Sequence, residues 1–317
     1  AIDDVRIYNY ALSEEEVKAL YKSSYATNPH PADGAVVNPE NDLKLNWTPG
    51  TGAVRHKVYF GADREQLTLL GEVEKPGYAK LQPLEKDTDY FWRIDEVQED
   101  GSVLTGDIWS FNTGKLIAWW KLDESQGRRA NDSAGDNAGI LEGDPSWITG
   151  QIGSALEFDG VDDYVDVGRS TDFGIREQVT IAAWLKTNDA GNGEVNPYVI
   201  TAKYGLKQKA SNVLEFYIFT DTWHVVWFDV DNTFNSNWHH LAGAYDGREL
   251  KLYIDGVVEG STFHTGIMGP DTSSIRIGGE PWPARRYYDG AIDDVRIYNY
   301  ALGEDEIRAL YNKGKKR

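Results

Sequence analysis

The 317-residue sequence contains no cysteine and a single methionine. The absence of cysteine excludes disulfide bonds, thiolate zinc sites and cysteine nucleophiles. Basic residues are scarce, with 32 Lys and Arg against 51 Asp and Glu and a formal net charge of −19. This balance argues against nucleic acid as a partner, because binding to a phosphate backbone needs a basic footprint. No apolar run reaches the roughly 18 residues of a membrane span. No signal peptide opens the sequence, so we interpret the chain as a mature or excised piece.

Residues 1–21 recur almost unchanged as residues 291–311. The first twelve positions are identical, and the four later differences keep size and polarity. The repeated segment predicts a strand, a turn and a short helix with an acidic first turn. The interval is too long for a solenoid, so we interpret residues 1–24 as the terminal strand and helix of a preceding module. Because an unpaired strand tends to pair with another edge, residues 1–12 are expected to allow self-association between copies.

The remaining sequence predicts two β-rich regions. Residues 41–113 contain short alternating segments bounded by Gly, Pro and Asp, which predict a sandwich of about seven strands. Residues 115–313 predict ten or more strands and one terminal helix, which favours a two-sheet jelly roll. The predicted fold class is therefore all-β. Most tryptophans are expected in the two cores: Trp47, Trp92 and Trp109 in the first region, and Trp120, Trp184 and Trp238 in the second.

Several motifs carry a resemblance to known families. In residues 115–313 they are Trp120–Glu124, Ala155–Val165, Trp238–Gly247 and Gly290–Asn299. This segment resembles a laminin-G-like, concanavalin-A-like jelly-roll module. Residues 25–114 resemble a fibronectin type III-like module through Leu45–Trp47, Tyr90–Glu96 and Gly106–Phe111, and residues 314–317 form a basic tail. Such modules occur together in secreted multi-domain bacterial proteins, so the resemblance implies a secreted or cell-surface location and an accessory role in glycan binding or adhesion.

Asp293 is the main candidate for a metal ligand. Strand alternation places its carboxylate on the same face as Val295 and Ile297, and a buried charge there should be paired or bound to metal. The resemblance implies a structural calcium ion, for which carboxylate and backbone oxygens are suitable ligands. The further ligands that the resemblance implies are Asp123 or Glu124, Asp159, Gly160 and Asp132. The alternative is a set of capped turns and solvated acidic loops, and Asp162, Asp163 and Asp166 are expected to face solvent.

Two aromatic segments are candidates for sugar binding, because indole and phenol faces can stack on sugar rings. Residues 215–229 predict a hairpin. One of its faces carries Glu215, Tyr217 and Phe219 on the first strand, and Trp223, Val225 and Trp227 or their alternates on the second. The second candidate is a loop over residues 280–289 that carries Trp282, Arg285, Arg286, Tyr287 and Tyr288. The arginines favour an anionic glycan, because a guanidinium group binds planar anions with two hydrogen bonds. The alternative is an ornamented connection or an interdomain contact.

The sequence favours a non-catalytic protein. A retaining glycosidase needs two carboxylates about 5–5.5 Å apart, and residues 115–313 contain no strand motif that supplies such a pair. Glu215 and Asp229 are the strand acids beside aromatic residues, and the histidines lack a partner motif. The predicted function is therefore a calcium-stabilised accessory module pair that binds carbohydrate. The alternatives are structural or adhesive modules without a sugar site, and a glycoside hydrolase or polysaccharide lyase of the jelly-roll type.

Overall fold

The computed structural model describes Ile7, Ala11 and residues 23–38, 43–78, 81, 83–188, 196–209, 212–230, 236–269, 274–280 and 286–315. The chain divides into two compact units, Ala1–Thr113 and Gly114–Arg317, called here the N-terminal unit and the C-terminal unit. The strand and helix predicted within residues 1–24 lie outside the described residues. Among the described residues, no helix is long and apolar enough to cross a membrane.

The N-terminal unit contains eight described strands. They are β1 (Thr27–His30), β2 (Ala35–Val37), β3 (Asn46–Thr48), β4 (Ala53–Gly61), β5 (Thr68–Val73), β6 (Asp89–Gln98), β7 (Val103–Leu104) and β8 (Ile108–Thr113). One sheet has the order β2-β8-β6-β4-β5, with β7 on β6, and the other consists of β1 and β3. Strands β2 and β8 are parallel and the other pairs are antiparallel. The fibronectin type III-like assignment stays a prediction.

The core of this unit follows from strand alternation. Tyr90, Trp92 and Ile94 point inward from β6, because every second side chain of a strand lies on the same face. Trp92 packs edge-on against Trp109 at 4.8 Å between ring centroids. These contacts confirm the predicted core positions of both tryptophans, and Trp47 is buried with them.

The C-terminal unit contains sixteen described strands and one described α-helix. They are β9 (Leu116–Trp120), β10 (Arg129–Ala130), β11 (Gly139–Glu142), β12 (Ser146–Thr149), β13 (Ser154–Asp159), β14 (Tyr164–Gly168), β15 (Val179–Thr187), β16 (Asn196–Ile200), β17 (Tyr204–Lys209), β18 (Val213–Phe219), β19 (Trp223–Asp229), β20 (His239–Tyr245), β21 (Glu249–Ile254), β22 (Val257–Phe263), β23 (Ile275–Ile277), β24 (Asp289–Tyr298) and α1 (Glu304–Gly314). A short 3-10 helix spans Thr171–Phe173.

These strands form two antiparallel sheets. Sheet 1 has the order β10-β11-β14-β23-β16-β17-β18-β19, and sheet 2 has the order β12-β13-β24-β15-β20-β21-β22, with β9 also paired to β24. One large apolar cluster fills the space between them, with Trp120, Phe158 and Phe216 among its buried side chains. The predicted all-β fold with a short helix near the C terminus is confirmed.

Helix α1 covers the outer face of sheet 2. Its first turn is acidic, and the Glu306 carboxylate accepts the Gly303 backbone N–H at 2.9 Å, which satisfies one of the unpaired donors of a helix N terminus. Tyr311 stacks on Trp184 at 5.6 Å between centroids. Trp184 is therefore buried beneath the helix and not in the cluster between the sheets. Trp238, also predicted in the core, is only partly buried.

A β-bulge in β24 changes the predicted position of Asp293. Arg296 pairs with Ala182 and Asp293 pairs with Trp184, so β24 has one extra residue in this interval. Asp294 takes up the irregularity with a φ of 51°. Such a bulge shifts side chains to the opposite face. Ile292 therefore enters the core, and Asp293 shares the outer face with Trp184. The prediction that Asp293 lies on the face of the buried valines and isoleucines is wrong.

Candidate functional site

Asp293 is nevertheless fully buried, because the loop over residues 150–154 covers it. The Ile152 backbone N–H donates to Asp293 Oδ2 at 2.8 Å, and the Ser154 N–H donates to Asp123 Oδ1 at 2.8 Å. Gly150 permits this approach, since a Cβ atom there would lie 2.6 Å from Asp293 Oδ2. Gly153 has a φ of 68°, and a Cβ atom there would overlap the Asp123 carboxylate. The loop thus holds two carboxylates that come from distant parts of the chain.

The negative charges of Asp293 and Asp123 beneath this loop are unfavourable without a cation. Asp293 Oδ1 is buried and has no hydrogen-bond partner among the described residues. Burial raises the pKa of Asp293 to about 8, and the negative charges of Asp294 and Asp123 act in the same direction. Calcium prefers carboxylate and backbone oxygens, and the orphaned oxygen of Asp293 meets that requirement. Asp123, Asp293 and the loop over residues 150–154 therefore fit a calcium ion and are called the Asp293 site.

Asp159 and Gly160 do not belong to the Asp293 site. Asp159 pairs with Asp289 across β13 and β24, and Asp293 lies four residues further along β24, which is about 13 Å in a strand. Ligands of one calcium ion must all lie within about 2.6 Å of it. The two positions therefore cannot hold the same ion, and the predicted ligand set divides into two groups.

Asp132, another predicted calcium ligand, stabilises a turn of its own loop. Its carboxylate accepts backbone N–H groups of Trp119, Ala134 and Asn137 at 2.8, 2.9 and 3.2 Å. These bonds organise the turn that follows β10. Glu124 is held by Asn131, whose backbone N–H donates to Glu124 Oε1 at 2.8 Å. The Asp132 carboxylate is thus engaged by its own loop, as the capped-turn alternative predicts, whereas Glu124 Oε2 is buried without a hydrogen-bond partner among the described residues.

A second acidic group surrounds Asp159. Carboxylate oxygens of Asp159, Asp162 and Asp163 lie within 4.8 Å of one another. Asp163 is buried, which differs from the predicted solvent-facing position, and burial raises its pKa. Its oxygens accept the backbone N–H groups of Asp144 at 2.7 Å and Asp159 at 3.1 Å. These hydrogen bonds explain why the Asp163 carboxylate is buried: it stabilises a turn.

The hairpin predicted over residues 215–229 is present as β18 and β19. Glu215 lies opposite Trp227, Tyr217 opposite Val225, and Phe219 opposite Trp223. These six side chains share the outer face of sheet 1, because the alternate residues of β18 and β19 enter the core. Trp223 and Trp227 are 56% and 58% exposed. We call the six residues, together with Lys207 and Lys209 of the neighbouring β17, the aromatic surface.

Buried contacts hold the aromatic surface in place. Tyr217 donates its hydroxyl hydrogen to the Thr201 carbonyl at 2.9 Å. Its ring crosses Gly205, where a Cβ atom would lie 2.5 Å from the Tyr217 oxygen. Trp223 packs edge-on against Tyr217 at 5.3 Å and against Phe219 at 4.9 Å. Tyr217 therefore supports Trp223 from below and is itself only 5% exposed.

Charged groups lie beside the aromatic rings. Glu215 is 6% exposed, and its carboxylate lies 3.8 Å from Lys207 Nζ and 3.6 Å from Lys209 Nζ. The Lys207 ammonium also lies 5.0 Å from the centre of the Tyr217 ring. A carboxylate, two ammonium groups and two exposed indoles thus share one face. The lysines were missed by sequence reasoning, although their alternation in β17 with buried Leu206 and Gln208 could have placed them there.

Residues 159–308 match the family model described as the concanavalin A-like lectin/glucanases superfamily. This segment is therefore similar to concanavalin A-like domains. The match includes all of the aromatic surface and Asp293, whereas Asp123 and the loop over residues 150–154 precede it. Among curated proteins, none matches the sequence.

Solved structures share the fold of the C-terminal unit. Domain 4 of AbnA, an extracellular GH43 arabinanase from Geobacillus stearothermophilus solved in complex with arabinotriose, is 20% identical with a TM-score of 0.52, over 62% of this chain and 98% of that chain. The receptor-binding domain of botulinum neurotoxin C/D mosaic serotype is 15% identical, with a TM-score of 0.51, over 62% and 51%. The binding domain of botulinum neurotoxin DC in complex with SialylT is 14% identical, with a TM-score of 0.52, over 63% and 51%. The chain spans about half the length of the toxin structures. At these identities the likeness shows the fold alone.

The second predicted sugar-binding segment, the loop over residues 280–289, is described in part. Trp282 and Arg285 lie outside the described residues. Arg286 forms a salt bridge to Glu280 at 3.0 Å, and Tyr287 packs against Tyr164 at 6.1 Å between centroids. The positive charge of Arg286, which had favoured an anionic glycan, is therefore balanced by the Glu280 carboxylate.

Tyr288 was predicted to bind ligand, and this prediction is wrong. Its side chain is fully buried, with its ring packed against Phe158 and Tyr198. Its hydroxyl is 3.0 Å from Thr187 Oγ1, and burial raises the pKa of the phenol well above its ordinary value. Tyr288 directly precedes β24, and its side chain lies in the interior of the sandwich. The polar residues around it in the sequence had suggested an exposed loop.

Proposed function

We propose that the C-terminal unit is a carbohydrate-binding module and that the aromatic surface is its ligand site. The observation that carries the proposal is the pair of half-exposed indoles, Trp223 and Trp227, on one face of an edge strand. Exposed apolar groups in a contiguous patch commonly mark binding sites. Indole faces bind the apolar face of a sugar ring, and their N–H groups can donate to hydroxyls.

The spacing of the indoles favours an oligosaccharide over a single sugar. Trp223 and Trp227 are four residues apart on β19, which separates them by about 13 Å. Each indole would therefore contact a different ring of one sugar chain. Glu215 lies directly opposite Trp227 and, with its two lysines, offers an acceptor and donors for sugar hydroxyls.

The charges on the aromatic surface favour a neutral glycan. Glu215 and its two lysines leave one positive charge, which the negative charge of the nearby Asp229 offsets. An anionic ligand, the preference derived from Arg285 and Arg286, is the competing outcome of the test. The arabinotriose complex of the structurally similar arabinanase domain supports linear arabinan as the first neutral probe.

Affinity electrophoresis tests the proposal. The wild-type protein should migrate more slowly in gels that contain linear arabinan or another neutral polysaccharide, and polygalacturonate provides the anionic comparison. Trp223→Ala and Trp227→Ala should each lose most of the retardation, because each substitution removes one of the two large apolar faces on which a sugar ring can stack. Tyr25→Ala, which removes an exposed aromatic residue of the N-terminal unit, is the matched control and should bind normally. Absence of retardation by any polysaccharide would favour the structural or adhesive alternative.

We further propose that the module is non-catalytic and acts as an accessory part of a secreted protein. The Glu215 carboxylate forms ion pairs with Lys207 and Lys209 and lies opposite Trp227 on the neighbouring strand, not opposite a second carboxylate. A retaining glycosidase needs two carboxylates about 5–5.5 Å apart. The same polysaccharides should therefore release no reducing ends on incubation with the protein. Release that Glu215→Gln abolishes would instead support the glycoside hydrolase alternative.

We also propose a structural calcium ion in the Asp293 site. The buried Asp293 Oδ1 without a partner among the described residues supports it, as does the proximity of the Asp123 charge. Calcium would supply the positive charge that this pair of carboxylates lacks. It would also fix the loop over residues 150–154 on sheet 2, where the Gln151 side chain donates to the Gly314 carbonyl at 2.7 Å.

A further inference from the structure

Two histidines stack face to face beside the aromatic surface. The imidazole rings of His224 and His264 have centroids 3.3 Å apart and an interplanar angle of 14°. His224 follows Trp223 directly on β19, and its side chain lies on the opposite face of the strand. His264 follows the last residue of β22. The stack therefore joins the end of sheet 2 to the tip of the β18–β19 hairpin.

The hairpin tip and the segment over residues 264–269 contact each other at several points around this stack. Thr220 Oγ1 lies 3.2 Å from His264 Nε2. The Gly269 backbone N–H donates to the Phe219 carbonyl at 3.2 Å. Tyr245 donates its hydroxyl hydrogen to the Gly266 carbonyl at 2.7 Å. Separation of the two rings would therefore disturb Phe219 and Trp223, which belong to the aromatic surface.

Few charges of the described residues oppose the stack. Asp221 of the hairpin turn lies 3.5 Å from His224 Nε2, but its side chain is mostly exposed, so solvent weakens its attraction. Tyr245 of β20 and Arg248, whose carbonyl accepts the His264 backbone N–H, also face this region. Two further cations contact its surroundings: Lys203, whose ammonium lies over the Phe219 ring, and Arg176, whose Nε donates to the Met268 carbonyl at 3.2 Å. Two imidazolium ions at this separation would repel each other with little compensation.

We propose that the His224–His264 stack is a pH-sensitive contact that holds the aromatic surface in its binding arrangement, so that carbohydrate binding weakens on acidification. The binding half of this inference rests on the proposed function. The direction agrees with the ionisation of His264, whose pKa is lowered by burial and by the neighbouring His224. Because the folded stack takes up protons less readily than free histidine, protonation favours the arrangement in which the rings are apart.

Titration by NMR tests the contact without any ligand. In the whole protein labelled with 15N, the His264 ring signals should titrate below the ordinary value of 6.5. Backbone amide signals of residues 219–224 and 264–269 should move with the same midpoint. His264→Gln, which keeps a polar side chain beside Thr220, should abolish the movement, and His30→Gln in the N-terminal unit should not. A His264 ring that titrates at the ordinary value of 6.5, with no movement of these amides, would overturn the proposal.

Calorimetry with linear arabinan tests the consequence for binding. The dissociation constant should rise as the pH is lowered from about 7.5 to about 5, by at most about tenfold per pH unit for each proton taken up. His264→Gln should bind with nearly the same affinity at both values. A wild-type affinity that is unchanged over this range would overturn the link to binding. If arabinan fails to bind even at the higher pH, the choice of glycan is wrong, and the NMR titration decides whether the pH-sensitive contact exists.

Discussion

Replacing Asp293 by asparagine should stabilise the calcium-free protein at neutral pH. In the folded chain this carboxyl group is buried with one oxygen unpartnered among the described residues, and its pKa is about 8, against an ordinary value of 3.8 for an aspartate in water. Between these two values the unfolded chain loses the proton while the folded chain keeps it. Without calcium, the free energy of unfolding therefore falls as the pH rises through this window, by about 1.4 kcal/mol per pH unit.

At pH 7 the accumulated cost of Asp293 is about 4 kcal/mol, which follows from the interval between 3.8 and 7 at about 1.36 kcal/mol per unit. Asp293→Asn removes the titration and should recover up to this amount. For a unit of about 200 residues, each kcal/mol corresponds to about 2–4 °C in melting temperature. Calcium should stabilise the wild-type protein in the same pH range, because an ion that binds only the folded state shifts the equilibrium toward it.

Thermal melts in calcium and in EDTA at about pH 5, 6.5 and 8 measure both effects. We expect the calcium-dependent rise of the melting temperature to be largest at the highest pH and to vanish in Asp293→Asn. Asp159→Asn is the matched control, because Asp159 belongs to the second acidic group and lies about 13 Å away along the sheet. If wild-type melts are identical in calcium and EDTA at the highest pH, the reasoning about Asp293 is refuted. If the response to calcium disappears only in Asp159→Asn, the ion binds the other acidic group.

Two further substitutions test the packing of each unit. His56→Ala should destabilise the N-terminal unit by about 3–5 kcal/mol, because it leaves the fully buried Glu96 carboxylate without its imidazole partner. An unchanged midpoint of urea unfolding would contradict this. Gly243→Ala should destabilise the C-terminal unit by about 1–3 kcal/mol, because a Cβ atom there would overlap the Phe216 ring in the core. A melting temperature equal to that of the wild type would contradict this, because it would show that the sheets can separate to admit the methyl group.

Strand alternation predicted the hairpin of the aromatic surface, but it left open which face of the second strand is exposed, and it did not identify Lys207 and Lys209. The side chains of Glu215, Tyr217 and Phe219 lie on one face because successive residues of a strand alternate, and the short turn sets the register with Trp223 and Trp227. The same alternation failed at Asp293, where a bulge adds one residue. A bulge depends on the pairing of three strands, so no local pattern in β24 indicates it.

Contacts between distant segments account for the other differences. The loop over residues 150–154 buries Asp293, although it is more than a hundred residues away in the sequence. Tyr288 enters the core because β23 and β24 bring it against Tyr198. His224 and His264 meet only because the edges of the two sheets come together. The resemblance to a known family implied that Asp159 and Asp293 bind the same ion. The strand register shows that the two residues lie too far apart for this.

The position of β24 has a consequence for how the C-terminal unit forms during synthesis. This strand lies between β13 and β15 and also pairs with β9, yet it is the last described strand of the unit to be made. Until it emerges from the ribosome, its three neighbours have unpaired edges, and exposed edges of this kind are prone to aggregation. We therefore expect a chain arrested before residue 289 to need a chaperone or another strand in place of β24. A purification tag should be better tolerated after α1 than any truncation that reaches this strand.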